Sequence, residues 1–489
     1  LGALKATGTE PVLALAPRHQ VTHATETIYG PDLIRQAQYA QPRKDSARDL
    51  AVPSLPFMIW ILSLVLAAIL TFPGGVVLTM AAAAVFVSVV NMAFKSILMF
   101  ASLRTEIRHQ LAPSVTPLPL GSPRISLLVP LLHEAEVAET LLSHLKALKY
   151  PSALIEVFFL LESDDHLTRN TLSCLQLPYN FQVLTVPPGE LRTKPRALNY
   201  ALPFTSGDVI GIYDAEDRPD PGQLRKVVAG FRGSDTRVAC LQGRLGFFNV
   251  ETNLLSRCFC IEYAGWFSVF LKGLERLDLP IPLGGTTLFF RRTALIDCGG
   301  WDAHNVTEDA DLGMRLYRHG YRTGLIDSDT LEEANCRVWP WIRQRSRWIK
   351  GYMVTWRIHM RSPKALLRDM GGRATLAFHL LFLGSILAAL LTPVHFLFWL
   401  AFFGAPVPGL AELRPELLRP LGVGFLTLGA LNLGFWIVAL RRTRQRNLVL
   451  WLPVMHIYFM MSGLAAVKAG FETLIQPYFW DKTRHGIDV

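Results

Sequence analysis

Five apolar runs constrain this chain more than any other feature: FMIWILSLVLAAILTF (57–72), GVVLTMAAAAVFVSVVNMAF (75–94), TLAFHLLFLGSILAALLTPVHFLFWLAFF (375–403), LGVGFLTLGALNLGFWIVAL (421–440) and LVLWLPVMHIYFMMSGLAAV (448–467). A helix needs about 20 such residues to cross about 30 Å of hydrocarbon. Between the second and third runs lie about 270 residues of mixed composition, ample for a folded soluble domain. With 51% hydrophobic and 18% charged residues, the chain is too apolar for an ordinary soluble enzyme and too charged for a pure membrane bundle. The expected organisation is an N-terminal arm (1–52), two transmembrane helices (53–104), a folded domain (120–360) with an interfacial helix near 339–358, C-terminal transmembrane helices (374–475) and a tail (476–489).

About 50 mostly polar residues precede the first run, so it reads as a permanent anchor rather than a cleaved signal. Basic clusters stay on the cytoplasmic side. QPRKDSAR (41–48), Arg104 with Arg108, and RRTRQR (441–446) mark one face and place the middle domain in the cytoplasm. The parity of the C-terminal spans is open: either Pro393 splits its run or 448–475 is re-entrant. Residues 1–50 read as a flexible lead-in with a short helix near PDLIRQAQYA. The six cysteines show no zinc-ligand spacing and read as reduced structural thiols. The net charge of +10 is explained by basic membrane flanks, and no nucleic-acid-binding repeat is present.

From residue 124 short β-branched runs alternate with helical stretches: RISLLVPLL, AEVAETLLSHLKAL, IEVFFLL, a polar helix, FQVLTV, KPRALNYAL, DVIGIYD, PGQLRKVVAGF and RVACLQ. This predicts an α/β fold, a Rossmann-like and mostly parallel sheet covered on both faces. Ligands of such sheets bind beyond the carboxyl ends of the strands. Three strand ends carry acids: PLLHE (130–134), LESDD (161–165) and DAEDRPDP (214–221). Carboxylates gathered on one edge repel one another unless a cation offsets them. Magnesium or manganese bridging a diphosphate meets that need, because both are hard ions that take carboxylate and phosphate oxygens. Neither a phosphate-binding GxxxxGK[ST] loop nor a GxGxxG after a strand occurs, which disfavours an ATPase or a dinucleotide enzyme.

DAE (214–216), TED (307–309) and QRSRW (344–348), in this order between membrane runs, resemble the DxD, TED and QxxRW motifs of the membrane-embedded, inverting GT-A glycosyltransferases of family 2. That group contains the cellulose, curdlan and hyaluronan synthases and related lipid glycosyltransferases. The resemblance covers roughly 120–360, and PYFWDKTRHG (477–486) resembles the ending of bacterial members. It implies a UDP-sugar donor, UDP-glucose being the expected one, with Glu134 and either Glu162 or Asp164 at the nucleotide and Lys194 at the diphosphate. Asp214 and Glu216 would hold Mg2+ or Mn2+, with Asp217 as a further candidate.

By the same resemblance Asp309 is the general base, Glu308 orients the acceptor, and Arg347 stabilises the leaving diphosphate. Gln344, Trp348 and the glycines Gly284 and Gly285 of PLGGTTLFFR would line the acceptor subsite. Capping of the helix that begins at TED is compatible with that role: Thr307 is placed as N-cap, the helix N-terminus keeps Asp309 ionised, and Asp311 is structural. The implied protein is an inner-membrane enzyme that extends a β-glycan at its non-reducing end, with partner subunits for export as a further expectation. The alternative is single transfer to a lipid acceptor. A transporter or inactive scaffold is the remaining class, disfavoured because the spans carry few charges.

Overall fold

The computed structural model describes residues 18–103, 121–407 and 415–476. Arg104, Arg108 and the 477–486 tail motif lie outside the described residues. Helix α1 (Arg18–Tyr39) and two single 3-10 turns (Arg43–Asp45 and Ala47–Asp49) precede α2 (Leu55–Thr71) and α3 (Pro73–Leu103). Residues 37–51 are not a loose lead-in, because Ala37, Gln38, Gln41, Ser46, Ala47 and Leu50 are buried against the middle domain.

The middle domain is built on an eight-stranded sheet: β1 (Ile125–Leu131), β2 (Ile155–Glu162), β3 (Phe181–Val186), β4 (Val209–Ile212), β5 (Arg218–Pro219), β6 (Val238–Phe247), β7 (Leu288–Arg291) and β8 (Arg322–Glu332). Its order is β3-β2-β1-β4-β7-β6-β8-β5. Strands β1 to β4 are parallel neighbours, and β1 and β2 are near-continuous apolar runs because both faces are covered. Strand β7 runs antiparallel between β4 and β6, and β8 is parallel to β6. The carboxyl ends of β1, β2, β4, β6 and β8 therefore share one edge.

The covering helices are α4 (Ala138–Lys146), α5 (His166–Cys174), α6 (Lys194–Ala201) and α7 (Gln223–Gly233). Next comes α8 (Leu254–Gly265), which runs through a π turn at Trp266–Phe270 into α9 (Leu271–Arg276). They are followed by α10 (Arg292–Asp297), α11 (Glu308–Arg318) and α12 (Val338–His359), the last covering the helix expected near 339–358. One core joins a face of the sheet (Leu128, Phe158, Ile210) to the membrane-side residues Phe94, Phe435 and Trp436. The other fills the opposite face beneath α4 and α7.

The C-terminal bundle comprises α13 (Pro363–Leu381), α14 (Leu383–Phe402), α15 (Pro415–Arg442) and α16 (Met455–Ile475). The apolar run at 375–403 breaks at Phe382 and not at Pro393, which lies inside α14 with its ring against Gly463. Among the described residues five helical stretches are long and apolar enough to cross a membrane, and α2, expected as the first span, is not one of them because it has only 17 residues. Leu254–Arg276 is one of them and was absent from the sequence expectation, because Arg257, Glu262 and Lys272 interrupt its apolar run. It is mostly enclosed, packed in the seam between the sheet and α3 and α15.

Candidate active site

The strand ends deliver their side chains to a single cavity of about 1050 Å³. After β1 the chain turns with His133 in the left-handed region (φ 58°). The buried Asp165, N-cap of α5, holds that turn by accepting from the His133 amide at 2.7 Å and the Thr168 amide at 3.1 Å. The adjacent Glu134 amide donates to Thr168 at 3.0 Å, which sets Glu134 at the cavity wall. At the end of β2 Glu162 also lines the cavity, bonded at 2.6 Å to the buried guanidinium of Arg196. Asp164 stands outside it, half-exposed and paired at 2.6 Å with Arg192, which does line it. Of the two acids ranked equally from sequence, geometry favours Glu162.

Lys194 opens α6 and reaches across to form an ion pair with Asp214 at the end of β4, while donating to the Gly285 carbonyl at 2.7 Å. Burial works to depress this ammonium, but Asp214, Glu308 and Asp309 more than offset it and hold it above the ordinary lysine range. Gly285 stands at the centre of the group. A side chain there would begin 3.5 Å from Asp309 Oδ2, 3.8 Å from Lys194 Nζ and 3.9 Å from Asp214 Oδ2. Only glycine leaves that space open to a ligand. The amide of Gly284 is fixed by Gln242 Oε1 at 2.9 Å.

Asp214 and Glu216 lie on the cavity wall, whereas Asp217 does not. The Asp217 carboxylate is fully buried, accepting from the Asp214 amide at 2.7 Å and from the Thr286 hydroxyl, and so braces the loop from behind. Sequence reasoning missed Glu332 at the end of β8, which lines the same cavity. Burial, together with Asp217, Glu216 and Asp214, pushes its carboxyl well above the carboxylate range. Such crowding of oxygen donors fits a hard divalent cation, which would relieve the repulsion. Asp214 and Glu216, both on the cavity wall, could hold it.

Helix α11 starts at Glu308, so the three acids occupy its first turn as expected. Thr307 departs from its expected part: its hydroxyl makes no capping bond and sits buried against Gly351 of α12. The Ala310 amide donates to Asp309 Oδ1 at 2.7 Å. Burial nevertheless dominates, lifting Asp309 to about 6 and, with the neighbouring Asp309 charge, Glu308 to about 8. Both carboxyls are thus raised by burial, Glu308 the more because of the Asp309 charge beside it, so of the two Glu308 is the easier to protonate. Asp311 is buried between Arg315 at 2.7 Å and His359 at 3.1 Å, a structural ion pair.

From α12, Gln344, Arg347 and Trp348 all line the cavity. Arg345, between them, grips Glu262 of α8 with both terminal nitrogens and lies 4.5 Å over the Trp348 ring. One face of Trp348 is thereby covered. The cavity then continues between α3, α14, α15 and α16, past Asn91, Lys95, His395, Trp399, Asn432, Trp436 and His456. Lys95 sits 3.5 Å from Asn432 Oδ1 and about as far over the Phe435 and Trp436 rings as cation–π contacts allow, at 5.5 and 5.6 Å.

Comparison with known proteins agrees with this geometry. Residues 209–413 match the family described as Glycosyl transferase family group 2. The chain is 29% identical over 247 residues to a beta-monoglucosyldiacylglycerol synthase of Synechocystis, covering 48% of this chain and 50% of that one. It is 24% identical over 372 residues to glucomannan 4-beta-mannosyltransferase 7 of Arabidopsis thaliana, covering 72% and 63%. The chain thus spans about half to two-thirds of the length of these curated relatives. Its fold is shared with the mannosyltransferase PcManGT from Pyrobaculum calidifontis, solved with GDP-Man and Mn2+, at 18% identity and a TM-score of 0.50 over 81% of this chain and 99% of that one. Residues 209–413 are thus what match the glycosyltransferases of family group 2, and they include the acid-lined edge of the sheet at Asp214 and Glu216.

Proposed function

We propose that the chain is a membrane-embedded inverting glycosyltransferase that moves a sugar from a UDP-sugar, UDP-glucose in the first instance, to the non-reducing end of a growing β-glycan. The observation that carries this reading is the continuity of one cavity from the acid-lined edge into the membrane bundle. At about 1050 Å³ it reaches the top of the range of about 300–1,000 Å³ usual for small-ligand sites. Its membrane arm alternates ring faces (Trp399, Trp436) with amides and imidazoles (Asn91, Asn432, His395). Sugars stack on rings through their apolar faces and can add hydroxyl hydrogen bonds to such polar groups, which an acyl chain cannot; within the protein His395 already bonds Ser88, Asn91 the Gly384 carbonyl, and Asn432 Lys95.

In the proposed reaction Asp309 takes the proton from the acceptor hydroxyl as that oxygen bonds to the anomeric carbon and the bond to the diphosphate breaks. One displacement with one base inverts the configuration. Protonated Glu308 orients the acceptor by donating a hydrogen bond. Arg347 and Lys194 face the charge that grows on the departing UDP. A Mg2+ or Mn2+ ion on Asp214 and Glu216 would neutralise diphosphate charge as well. Glu134 and Glu162 suit the nucleoside, and Gln344, Trp348, Gly284 and Gly285 the acceptor sugar. The basic flanks support a position for this domain on the cytoplasmic face of a bacterial inner membrane.

A glycolipid product is the second reading, favoured by the likeness to a beta-monoglucosyldiacylglycerol synthase. The test is UDP release by the detergent-solubilised chain with Mn2+ or Mg2+ across a panel of UDP-sugars, beside Asp309→Asn. Release with one sugar and a lengthening β-glycan, lowered at least about 100-fold in the variant, supports the polymer reading. Release that begins only when membrane lipid is added supports the glycolipid. Absence of release with every sugar, while UDP still binds, refutes both.

A further inference from the structure

We propose that residues 41–51 form a strap that holds the general-base loop and the QRSRW helix at their working separation, with Gln41 and Ser46 as positioning residues. This rests on the roles assigned above to Asp309 and Arg347, which lie on different elements, α11 and α12.

The loop between α10 and α11 leads directly into Thr307, Glu308 and Asp309 and has no regular backbone pairing of its own. It turns through Gly299 and Gly300, both in the left-handed region (φ 72° and 68°). That turn points carbonyls inward, where each needs a donor. The buried Gln41 side-chain amide shares its two hydrogens among the carbonyls of Cys298 at 2.9 Å, Gly299 at 2.6 Å and Gly300 at 3.1 Å, and Arg315 also donates to Cys298 at 2.7 Å and Gly300 at 2.8 Å. Two residues on, the Asp302 carboxylate is 1% exposed. Two of its donors come from the strap: Ser46 Oγ at 2.9 Å and the Ala47 amide at 2.6 Å. From Asp302 the linkage continues toward the base. The Asn305 amide donates to the Asp302 carbonyl at 3.1 Å, and Asn305 Oδ1 accepts from the Thr307 amide at 3.1 Å.

The same strap is tied to the other catalytic element. Arg361, two residues beyond the end of α12, donates to the carbonyls of Arg43 at 2.8 Å, Lys44 at 3.2 Å, Ser46 at 2.8 Å and Asp49 at 3.0 Å. Ala47 and Leu50 pack on Val354 and Ile358 of α12. Asn305 closes the triangle by donating to Thr355 of α12 at 3.0 Å. The strap, about 250 residues away in sequence, therefore adds a second set of ties between the base and the leaving-group cation to the direct ones from Asp311 to His359, Asn305 to Thr355 and Thr307 to Gly351. A misplacement of about 1 Å in such a pair costs on the order of 100-fold in rate.

The test uses the full chain in detergent with the UDP-sugar that supports wild-type turnover. Ser46→Ala and Gln41→Met are made singly and together, and each also in the Asp309→Asn background. For the double strap variant kcat is expected to fall 10- to 100-fold, with the donor KM, the UDP Kd and Tm little changed. The single variant Ser46→Ala, which keeps the Ala47 bond, gives a smaller loss in the same pattern and guards against misfolding of the pair. With Asp309 already replaced, the strap substitutions are expected to cost nothing further, because they act through the base. An unmoved kcat in all variants overturns the proposal. So does a fall in UDP affinity and Tm in step with kcat, or an equal further loss in the Asp309→Asn background. A wild type that releases no UDP from any sugar overturns the functional reading itself, and the strap with it.

Discussion

Replacing Lys194 with methionine should move the pH at which the enzyme switches on. Lys194 Nζ and Asp309 Oδ2 lie 3.8 Å and 3.5 Å from a common point above Gly285, so they are at most about 7.3 Å apart. At an effective dielectric of about 20, unit charges at that distance attract by about 2.3 kcal/mol, equivalent to about 1.7 pH units. Asp309 titrates at about 6 with the ammonium present. As a base it must be ionised, so wild-type kcat/KM, which reports the free enzyme, should fall as pH drops through about 6. Without Lys194 the carboxyl is harder to ionise, and the limb should rise to between about 7 and 8. The uncovered charge of Asp214 pushes in the same direction. The assay is initial UDP release at low donor concentration from pH 5 to 9. In the proposed reaction Lys194 would also face the diphosphate, so the plateau should drop as well, and the readout is the position of the limb. A lowered plateau with the limb still near 6 would show that Asp309 does not feel this ammonium, and would refute the electrostatic reasoning.

Further substitutions probe separate parts of the site. Glu308→Gln should leave turnover at pH 7 within about threefold, since Glu308 titrates near 8 and the proposed reaction uses it protonated. It should also extend the activity plateau above pH 8, and a loss of more than about 100-fold at pH 7 would show that the ionised form is needed. Gly351→Ala should lower stability by about 1–3 kcal/mol, seen as a reduced Tm, because its methyl would meet the buried Thr307 side chain. Glu262→Gln strands the Arg345 guanidinium inside the seam and should cost about 3–5 kcal/mol in denaturant titrations. An unchanged midpoint would mean that Tyr458 and the ring faces suffice for Arg345.

The sheet edge was legible in sequence because β1, β2 and β4 are apolar runs that stop abruptly at acids, and parallel strands bring such stops together. Strand β8 was not: RTGLIDSDTLE lacks both a continuous apolar run and a clean alternation, since much of it is only half-buried beside β6. Glu332 was lost with it. Asp217 looked like a metal ligand because sequence shows that a carboxylate is present and not which way it faces. The strap was invisible for a different reason. Gln41 and Ser46 bind backbone carbonyls and one aspartate far along the chain, and such bonds leave no periodicity. Thr307 failed as a cap because α12 crosses so closely at Gly351 that its side chain is taken up by packing.

The membrane arm of the cavity has an electrical consequence. A wet path from a nucleotide site into the bilayer would ordinarily short-circuit the membrane. Among the described residues that α3, α14, α15 and α16 contribute to this arm, Lys95 is the single Lys, Arg, Asp or Glu; Glu262 of α8, paired with Arg345, also lines the cavity. One fixed positive charge in a low-dielectric passage raises the energy of any entering sodium ion or hydronium, by several kcal/mol at contact distance. A neutral saccharide meets no such barrier and does no work against the membrane potential, whereas each charge carried across would involve about 2.3 kcal/mol per 100 mV. In the proposed polymer reading, the residues that would grip a sugar chain would also insulate the membrane around it.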